Sequence, residues 1–148
     1  MEIVDILIVD DDPNVSRLIC RILETSYYKI ASAQNGEEAL DLISETQFKV
    51  IISDVKMSKM DGVELLDKIH ELNPEITRII LSGHFDVELI LKLVNEKGID
   101  KYLVKPCKKA DLILAISKCI ELYDLRREVN KLPTKLNSNA QAHTSIFQ

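Results

Sequence analysis

The feature that most constrains this chain is a regular alternation of short apolar runs with longer stretches of helical period. The first run, residues 3–9, is almost continuously apolar, as is typical of a strand covered on both faces. From Pro13 onward apolar residues recur every three or four positions, with Asp12 placed as the helix N-cap. The strand–helix pair occurs five times. Five such pairs predict right-handed crossovers and a doubly wound α/β domain with one five-stranded parallel sheet.

This pattern is typical of a flavodoxin-like (βα)5 fold with an extended C-terminal helix. The sequence predicts a domain over 1–122, a helical extension over 123–132 that serves as linker or coiled coil, and a disordered tail over 133–148. We expect strands at 3–9, 29–33, 50–53, 76–81 and 101–104. We expect a first helix that begins at residue 13, three helices at 36–46, 63–72 and 86–97, and a last helix from 110 to about 132. In such sheets ligands bind beyond the carboxyl ends of the strands.

Charge and hydropathy exclude several classes of protein. A net charge of −5 argues against a nucleic-acid-binding face and against a polybasic membrane-surface helix. Apolar runs are shorter than the roughly 20 residues that a transmembrane helix requires. The N-terminus lacks the pattern of a secretory signal, and three cysteines without metal-ligand spacing indicate reduced thiols. We therefore expect a cytoplasmic protein.

Acidic residues follow two of the predicted strands. Asp10 and Asp11 come directly after the first strand, and Asp54 comes directly after the third. Carboxylates brought together at one sheet edge repel one another unless a cation neutralises them. Mg²⁺ suits this role because it takes few carboxylates and leaves positions for phosphate oxygens. Asp12 is better explained as a helix cap, and Asp54 alone would be an ordinary turn residue.

A hydroxyl and a cation follow the other two strands that reach this edge. Ser82 ends the fourth strand and Lys105 follows the fifth, just before Pro106. Taken singly, each is more often a turn residue or a solvated charge. Together with a metal ion they would provide donors for the oxygens of a phosphoryl group on Asp54.

The strand ends carry four motifs whose order resembles that of the receiver domain of bacterial two-component response regulators. The matching stretches are 6–13, 54–62, 81–83 and 102–106, and the resemblance covers residues 2 to about 122. It implies a phosphoacceptor signalling domain, rather than an enzyme acting on an external substrate. Its partner would be a sensor histidine kinase or a phosphotransfer protein, whose phosphohistidine donates the phosphoryl group in a Mg²⁺-dependent step.

The resemblance also implies a role for each matching residue. Asp54 would be the phosphoacceptor, Ser82 and Lys105 would contact the phosphoryl group, and the Lys105–Pro106 bond would be cis. The implied metal ligands are Asp11, Asp54 and the backbone carbonyl of Lys56, together with Asp10, which would bind directly or through water.

Three departures from the family pattern concern the loops around Asp54. Ser58 replaces the usual proline, which puts the rigidity of that loop in doubt, and Gly83 replaces the commoner alanine. Lys56 and His84 occupy the two variable positions that tune hydrolysis in the family. The sequence leaves open whether a cation there would hold the attacking water or shield the phosphorus.

The expected output is a conformational switch. By resemblance, Ser82 would move toward the phosphoryl group and Tyr102 would rotate, repacking the face of the fourth helix, fifth strand and fifth helix. A half-buried strand aromatic explains Tyr102 equally well. The switch would control dimerisation or an effector.

Beyond residue 121 the last helical pattern continues with apolar residues spaced three, four and three apart. They are Leu122, Leu125, Val129 and Leu132. The spacing fits a dimerising coiled coil, while a helix folded back on its own domain is the alternative. We recognise no output motif after it, so the effector is expected outside this chain. The segment 95–102 is similar to receivers that precede HD-GYP phosphodiesterases.

Two rival functions use the same residues. A haloacid-dehalogenase-like phosphatase would use Asp10 as its nucleophile, with Asp12 as the second acid, but it leaves Asp54 and the Lys105–Pro106 pair unexplained. A pseudo-receiver would be a pure interaction module that never takes a phosphoryl group.

Overall fold

The computed structural model describes residues 2–83 and 87–132. Within these two ranges, five strands alternate with five helices. The strands are β1 (Ile3–Val9), β2 (Ile30–Ala33), β3 (Gln47–Asp54), β4 (Thr77–Ser82) and β5 (Lys101–Val104). The helices are α1 (Pro13–Leu23), α2 (Gly36–Glu45), α3 (Gly62–Leu72), α4 (Val87–Asn95) and α5 (Lys109–Asn130).

All five strands are parallel and form one sheet in the order β2-β1-β3-β4-β5. The predicted doubly wound sheet is therefore confirmed. The order reverses between β1 and β3, so a crevice opens beyond their carboxyl ends. Among the described residues, no helix combines the length and the apolarity needed to cross a bilayer.

Two buried clusters hold the helices on opposite faces of the sheet. Alternate residues of the central strands point to opposite faces, so Ile6 and Ile8 pack in one cluster and Leu7 and Val9 in the other. The first cluster includes residues of α1 and α5, and the second includes residues of α2, α3 and α4. Strands buried on both faces explain the continuous apolar runs of the sequence.

Several helix ends follow directly from the sequence. The side chain of Asp12 accepts a hydrogen bond from the backbone N–H of Asn14, so the predicted N-cap of α1 is confirmed. Asn35 and Asp61 cap α2 and α3 in the same way. Gly98 ends the turn after α4 with a φ of 66°, in the left-handed region that favours glycine.

The main error of the sequence prediction concerns β3, which begins at Gln47 rather than at residue 50. Gln47 and Lys49 are polar, yet β3 pairs with β1 from Ile3↔Gln47 onward. Polar ends of a buried strand give no apolar signal. The predicted start of α4 at residue 86 and the predicted disordered tail over 133–148 lie outside the described residues.

The last helix runs without interruption through the predicted domain boundary at residue 122. One residue later, Tyr123 is buried, and its hydroxyl accepts hydrogen bonds from the side chains of Gln47 and Arg127. Lys49 forms an ion pair of 3.2 Å with Asp124. The first turns of the extension are therefore held against the domain's own sheet.

Candidate phosphoacceptor site

The sheet register brings the motif residues to one edge. Val9 lies beside Ser53, so Asp10, which follows β1, and Asp54, which ends β3, lie at the same level of neighbouring strands. On the other side of β3, Asp54 lies beside Leu81, and Ser82 at the end of β4 lies beside Val104. Lys105 follows Val104 directly, so four strand ends meet at one place.

Three carboxylates form the centre of this edge. Ligand oxygens of Asp10, Asp11 and Asp54 all lie within 4.8 Å of one another. Asp10 is only 2% exposed, Asp54 is half-buried, and Asp11 is exposed. Oxygen-rich, partly open clusters of this kind suit Mg²⁺, which keeps several water ligands. The donor set therefore fits the metal that the sequence predicts.

Lys105 bridges two of these carboxylates. Its Nζ lies 3.0 Å from Oδ2 of Asp10 and 3.2 Å from Oδ2 of Asp54. Burial pulls the pKa of Lys105 down, but the hydrogen bond and charge of Asp10, followed by the charge of Asp54, raise this pKa on balance. A fixed ammonium beside Asp54 can bind an oxygen of an attached phosphoryl group.

The second oxygen of Asp10 is also fixed. Its Oδ1 accepts the backbone N–H of Asp12 at 2.9 Å, and the N–H of Asp10 donates to the carbonyl of Ala33 at 3.2 Å. These bonds orient the most buried carboxylate before any ligand binds. Asp12 itself is exposed and caps α1.

The remaining predicted residues lie around this centre. Ser82 is buried at 4% exposure, and its carbonyl accepts the backbone N–H of Lys105 at 2.8 Å. The Lys105–Pro106 bond is cis, as the resemblance implied. Tyr102 is half-buried and packs against the core, while Lys56 is exposed. His84, predicted to tune hydrolysis, lies outside the described residues.

Two residues that position Asp54 were not predicted. Ser53 is fully buried and its Oγ donates to the carbonyl of Asp54 at 2.9 Å. The N–H of Gly62 donates to the carbonyl of Val55 at 2.8 Å. A Cβ at Gly62 would lie only 1.8 Å from the carbonyl oxygen of Asp54. The motif 54–62 contains this glycine, but only coordinates reveal why a side chain cannot fit there.

A second group missed by the sequence lies at the opposite end of the sheet. Arg78 is buried in β4, and its guanidinium donates to the carbonyls of Lys97 and Gly98 at 2.8 and 2.9 Å and to that of Leu66 at 3.2 Å. Burial lowers the pKa of Arg78, an effect that the charge of Asp100 opposes. An arginine inside an apolar run gave no signal of this role.

Comparison with known proteins agrees with the geometry. Residues 6–117 match the response regulator receiver domain family. The chain belongs to this family. The receiver is 33% identical over 144 residues to the nitrogen assimilation regulatory protein NtrX of Azorhizobium caulinodans, covering 96% of this chain and 31% of that protein. It is 34% identical over 119 residues to the transcriptional regulatory protein ZraR of Klebsiella oxytoca, covering 80% and 27%.

Solved structures show the same fold. The signal receiver domain of an HD domain-containing protein from Pseudomonas fluorescens superposes with a TM-score of 0.76 at 33% identity, covering 81% of this chain and 96% of that chain. A response regulator receiver domain protein from Methanospirillum hungatei has a TM-score of 0.76 at 31% identity, covering 85% and 98%. The receiver spans less than a third of the curated relatives that it matches, so their other activities do not transfer to it.

Proposed function

We propose that this receiver accepts a phosphoryl group on Asp54 from a phosphohistidine of a sensor histidine kinase or phosphotransfer protein. The observation that carries the proposal is Lys105, which contacts both Asp10 and Asp54 beside a third carboxylate. Once a metal ion neutralises the carboxylates, an ammonium held in this position would be a preorganised donor to an oxygen of a phosphoryl group on Asp54. The stability of a strand end does not require three clustered carboxylates with a lysine that contacts two of them.

The transfer is an in-line displacement. An oxygen of the Asp54 carboxylate forms a bond to phosphorus while the bond between phosphorus and the donor imidazole breaks, and the electron pair leaves with the imidazole nitrogen. The product is an acyl phosphate, which water later hydrolyses. Positioning and charge neutralisation account for most of such catalysis. The receiver promotes only its own phosphorylation and dephosphorylation and does not turn over an external substrate.

Mg²⁺ would be held by the carboxylates of Asp10, Asp11 and Asp54 and by the backbone carbonyl of Lys56. It would supply neutralisation of phosphoryl charge. Lys105 would bind a phosphoryl oxygen through Nζ, and Ser82 would donate its hydroxyl to another. The ion pair between Lys105 and Asp10 supports this assignment because it holds the ammonium beside Asp54.

The proposed output is a two-state change. Ser82 moves toward the phosphoryl group and Tyr102 repacks, while Lys56 and His84 tune the lifetime of the acyl phosphate. These steps bias a pre-existing conformational equilibrium and alter the face formed by α4, β5 and α5. The half-buried position of Tyr102 at the edge strand supports a role in this repacking.

We further propose a homodimer, formed through the face of α4, β5 and α5 or through the end of α5. The effector is another segment of a longer chain or a separate protein; an HD domain is one candidate, because a similar receiver belongs to an HD domain-containing protein. The three free thiols are consistent with a cytoplasmic location. We propose no direct contact with nucleic acid or membrane.

The test is phosphoryl labelling of the full chain with a phosphohistidine donor and Mg²⁺. Asp54→Asn should abolish labelling. Asp61→Asn is the matched control, because Asp61 lies in the same loop and caps α3 through a side-chain oxygen that asparagine retains. Stoichiometric labelling of Asp54→Asn would refute the assignment.

Two outcomes would support the rival functions. Label on Asp10 with turnover of phosphate esters would indicate a phosphatase. Absence of Mg²⁺-dependent beryllofluoride binding to the unaltered chain would indicate a pseudo-receiver.

A further inference from the structure

The end of α5 carries an exposed apolar stripe, which we define as Leu122, Leu125, Val129 and Leu132. Leu125 and Val129 are 54% and 52% exposed, Leu132 is 40% exposed, and Leu122 is half-buried. Their spacing of three, four and three residues gives a, d, a and d positions of a heptad. The buried residues of α5, such as Cys119 and Tyr123, lie on a different side of the helix.

One flank of the α5 stripe is held by the domain itself. Arg126 donates through Nη2 to Oδ1 of Asp100 at 2.7 Å and through Nη1 to Oδ2 at 3.3 Å. Asp100 also accepts the backbone N–H of Arg78 at 2.8 Å, so this carboxylate is fixed at the start of β5. This bidentate ion pair therefore holds the end of α5 against the segment between α4 and β5.

The charges beside the stripe are complementary to a second copy of the same helix. With Leu122 at an a position, Glu121 occupies a g position and Arg126 occupies the following e position, five residues later. In a parallel two-stranded coiled coil a g residue lies beside the e residue five positions on in the partner helix. Each Glu121 would therefore lie beside the other copy's Arg126, giving two symmetric ion pairs.

We propose that two copies of this chain pair in parallel through the α5 stripe and that Asp100 competes with the second copy's Glu121 for Arg126. In the single chain Arg126 is bound to Asp100. In the dimer Arg126 pairs with Glu121 of the second copy across the seam, which is the contact between the two α5 stripes. This inference rests on the homodimer in the proposed function and specifies its surface, its direction and the charge that opposes it.

Two further observations support a second copy as the occupant. The eight residues of α5 from Tyr123 to Asn130 are too few to form a stable isolated helix in water, but Tyr123 anchors them to β3 through Gln47, so a second copy would meet a helix that is already formed. An antiparallel pairing would bring e beside e and g beside g, so that each Arg126 would face an arginine. The sequence therefore favours a parallel seam.

The position of Asp100 also relates its competition for Arg126 to the proposed conformational change in the face of α4, β5 and α5. Asp100 lies between α4 and β5, and its backbone N–H donates to the carbonyl of Arg78 at 3.0 Å. A shift of this segment would change the geometry of the Arg126 ion pair. Dimerisation and the face of α4, β5 and α5 would then be coupled through one carboxylate.

The test is sedimentation equilibrium of the full chain, with the dimer dissociation constant as readout. Asp100→Asn should tighten the dimer by on the order of tenfold, because the two partly buried ion pairs between Arg126 and Asp100 no longer oppose association in each dimer. Asparagine retains an acceptor for the Arg78 N–H. The matched control is Asp124→Asn, which breaks the ion pair to Lys49 on another side of α5 and should leave the dissociation constant unchanged.

Direction is tested by exchanging charges in the Asp100→Asn background, where a glutamate at position 126 meets no opposing carboxylate at residue 100. Glu121→Lys should weaken the dimer, and Glu121→Lys combined with Arg126→Glu should restore it. An unchanged dissociation constant for Glu121→Lys would overturn the parallel register, because in an antiparallel pair the two residues at position 121 face each other and repel with either sign of charge.

The remaining outcomes separate this inference from the proposed function. Equal dissociation constants for the unaltered chain and Asp100→Asn would overturn the competition for Arg126. Absence of dimer in every variant, with and without beryllofluoride, would overturn both the seam and the proposed homodimer. Labelling of Asp54 in the same samples reports independently on phosphoryl acceptance.

Discussion

Replacing Gly62 with alanine adds one methyl group at the point where the loop after Asp54 returns to α3. The new Cβ would lie 1.8 Å from the carbonyl oxygen of Asp54 and 2.9 Å from Oγ of Ser53, whereas ordinary contact begins at 3.4 Å. The nearest atom belongs to the backbone of β3, so the chain itself must shift by more than an ångström. Overpacking of this severity costs about 3 kcal/mol or more.

The assay combines urea denaturation with beryllofluoride binding in Mg²⁺. We expect Gly62→Ala to lower the free energy of unfolding by about 3 kcal/mol and to weaken beryllofluoride binding, because the displaced backbone carries the Asp54 carboxylate. Gly83→Ala is the matched control: a Cβ there meets no atom within 4 Å among the described residues, and stability should change by less than about 0.5 kcal/mol. Equal stabilities of the two variants would refute the steric argument.

Three further predictions concern buried or partly buried polar groups. Arg78→Met removes the buried donor of three carbonyls, so unfolding free energy in urea should fall by about 3 kcal/mol, and a loss below about 1 kcal/mol would contradict this role. The pKa of Lys105 is raised in the folded protein. Its ion pairs therefore contribute their full share to the free energy of unfolding below the ordinary lysine pKa of about 10.4, and this share is lost as pH rises through the folded pKa. The stability difference between the unaltered chain and Lys105→Met, measured without Mg²⁺, should stay level up to about pH 9 and then shrink; an earlier decline would count against these ion pairs. Burial, followed by the charge of Asp100, raises the pKa of Cys119 to about 11, so iodoacetamide should label this thiol in unfolded but not in native protein, as peptide mass spectrometry can show.

The sequence predicts the central part of this fold well because the information is local and repeated. Continuous apolar runs specify strands buried on both faces, and Asp12 before Pro13 specifies a helix start. The family motifs then add the cis bond before Pro106, which the structure contains. The sheet register brings Asp10 and Asp54 together in the way that the strand-end argument requires.

What the sequence does not predict depends on contacts between distant residues. The polar start of β3 at Gln47 is specified by pairing with Ile3 and by the Tyr123 hydroxyl, which is 76 residues away. The exclusion of a side chain at Gly62 depends on the path of the backbone at Asp54. Periodicity carries no information about such contacts.

The burial of Tyr123 has a mechanical consequence. At a rise of 1.5 Å per residue, the part of α5 beyond this anchor extends for about 10 Å. If the contacts of Arg126 with Asp100 and of Asn130 with Glu75 were released, this part would act as a short lever arm whose pivot lies inside the domain, not at a hinge after it. A tilt of about 10° at the pivot would displace the far end by roughly 2 Å, comparable with helix shifts in known switches. Small rearrangements of the sheet would thus be converted into motion outside the receiver.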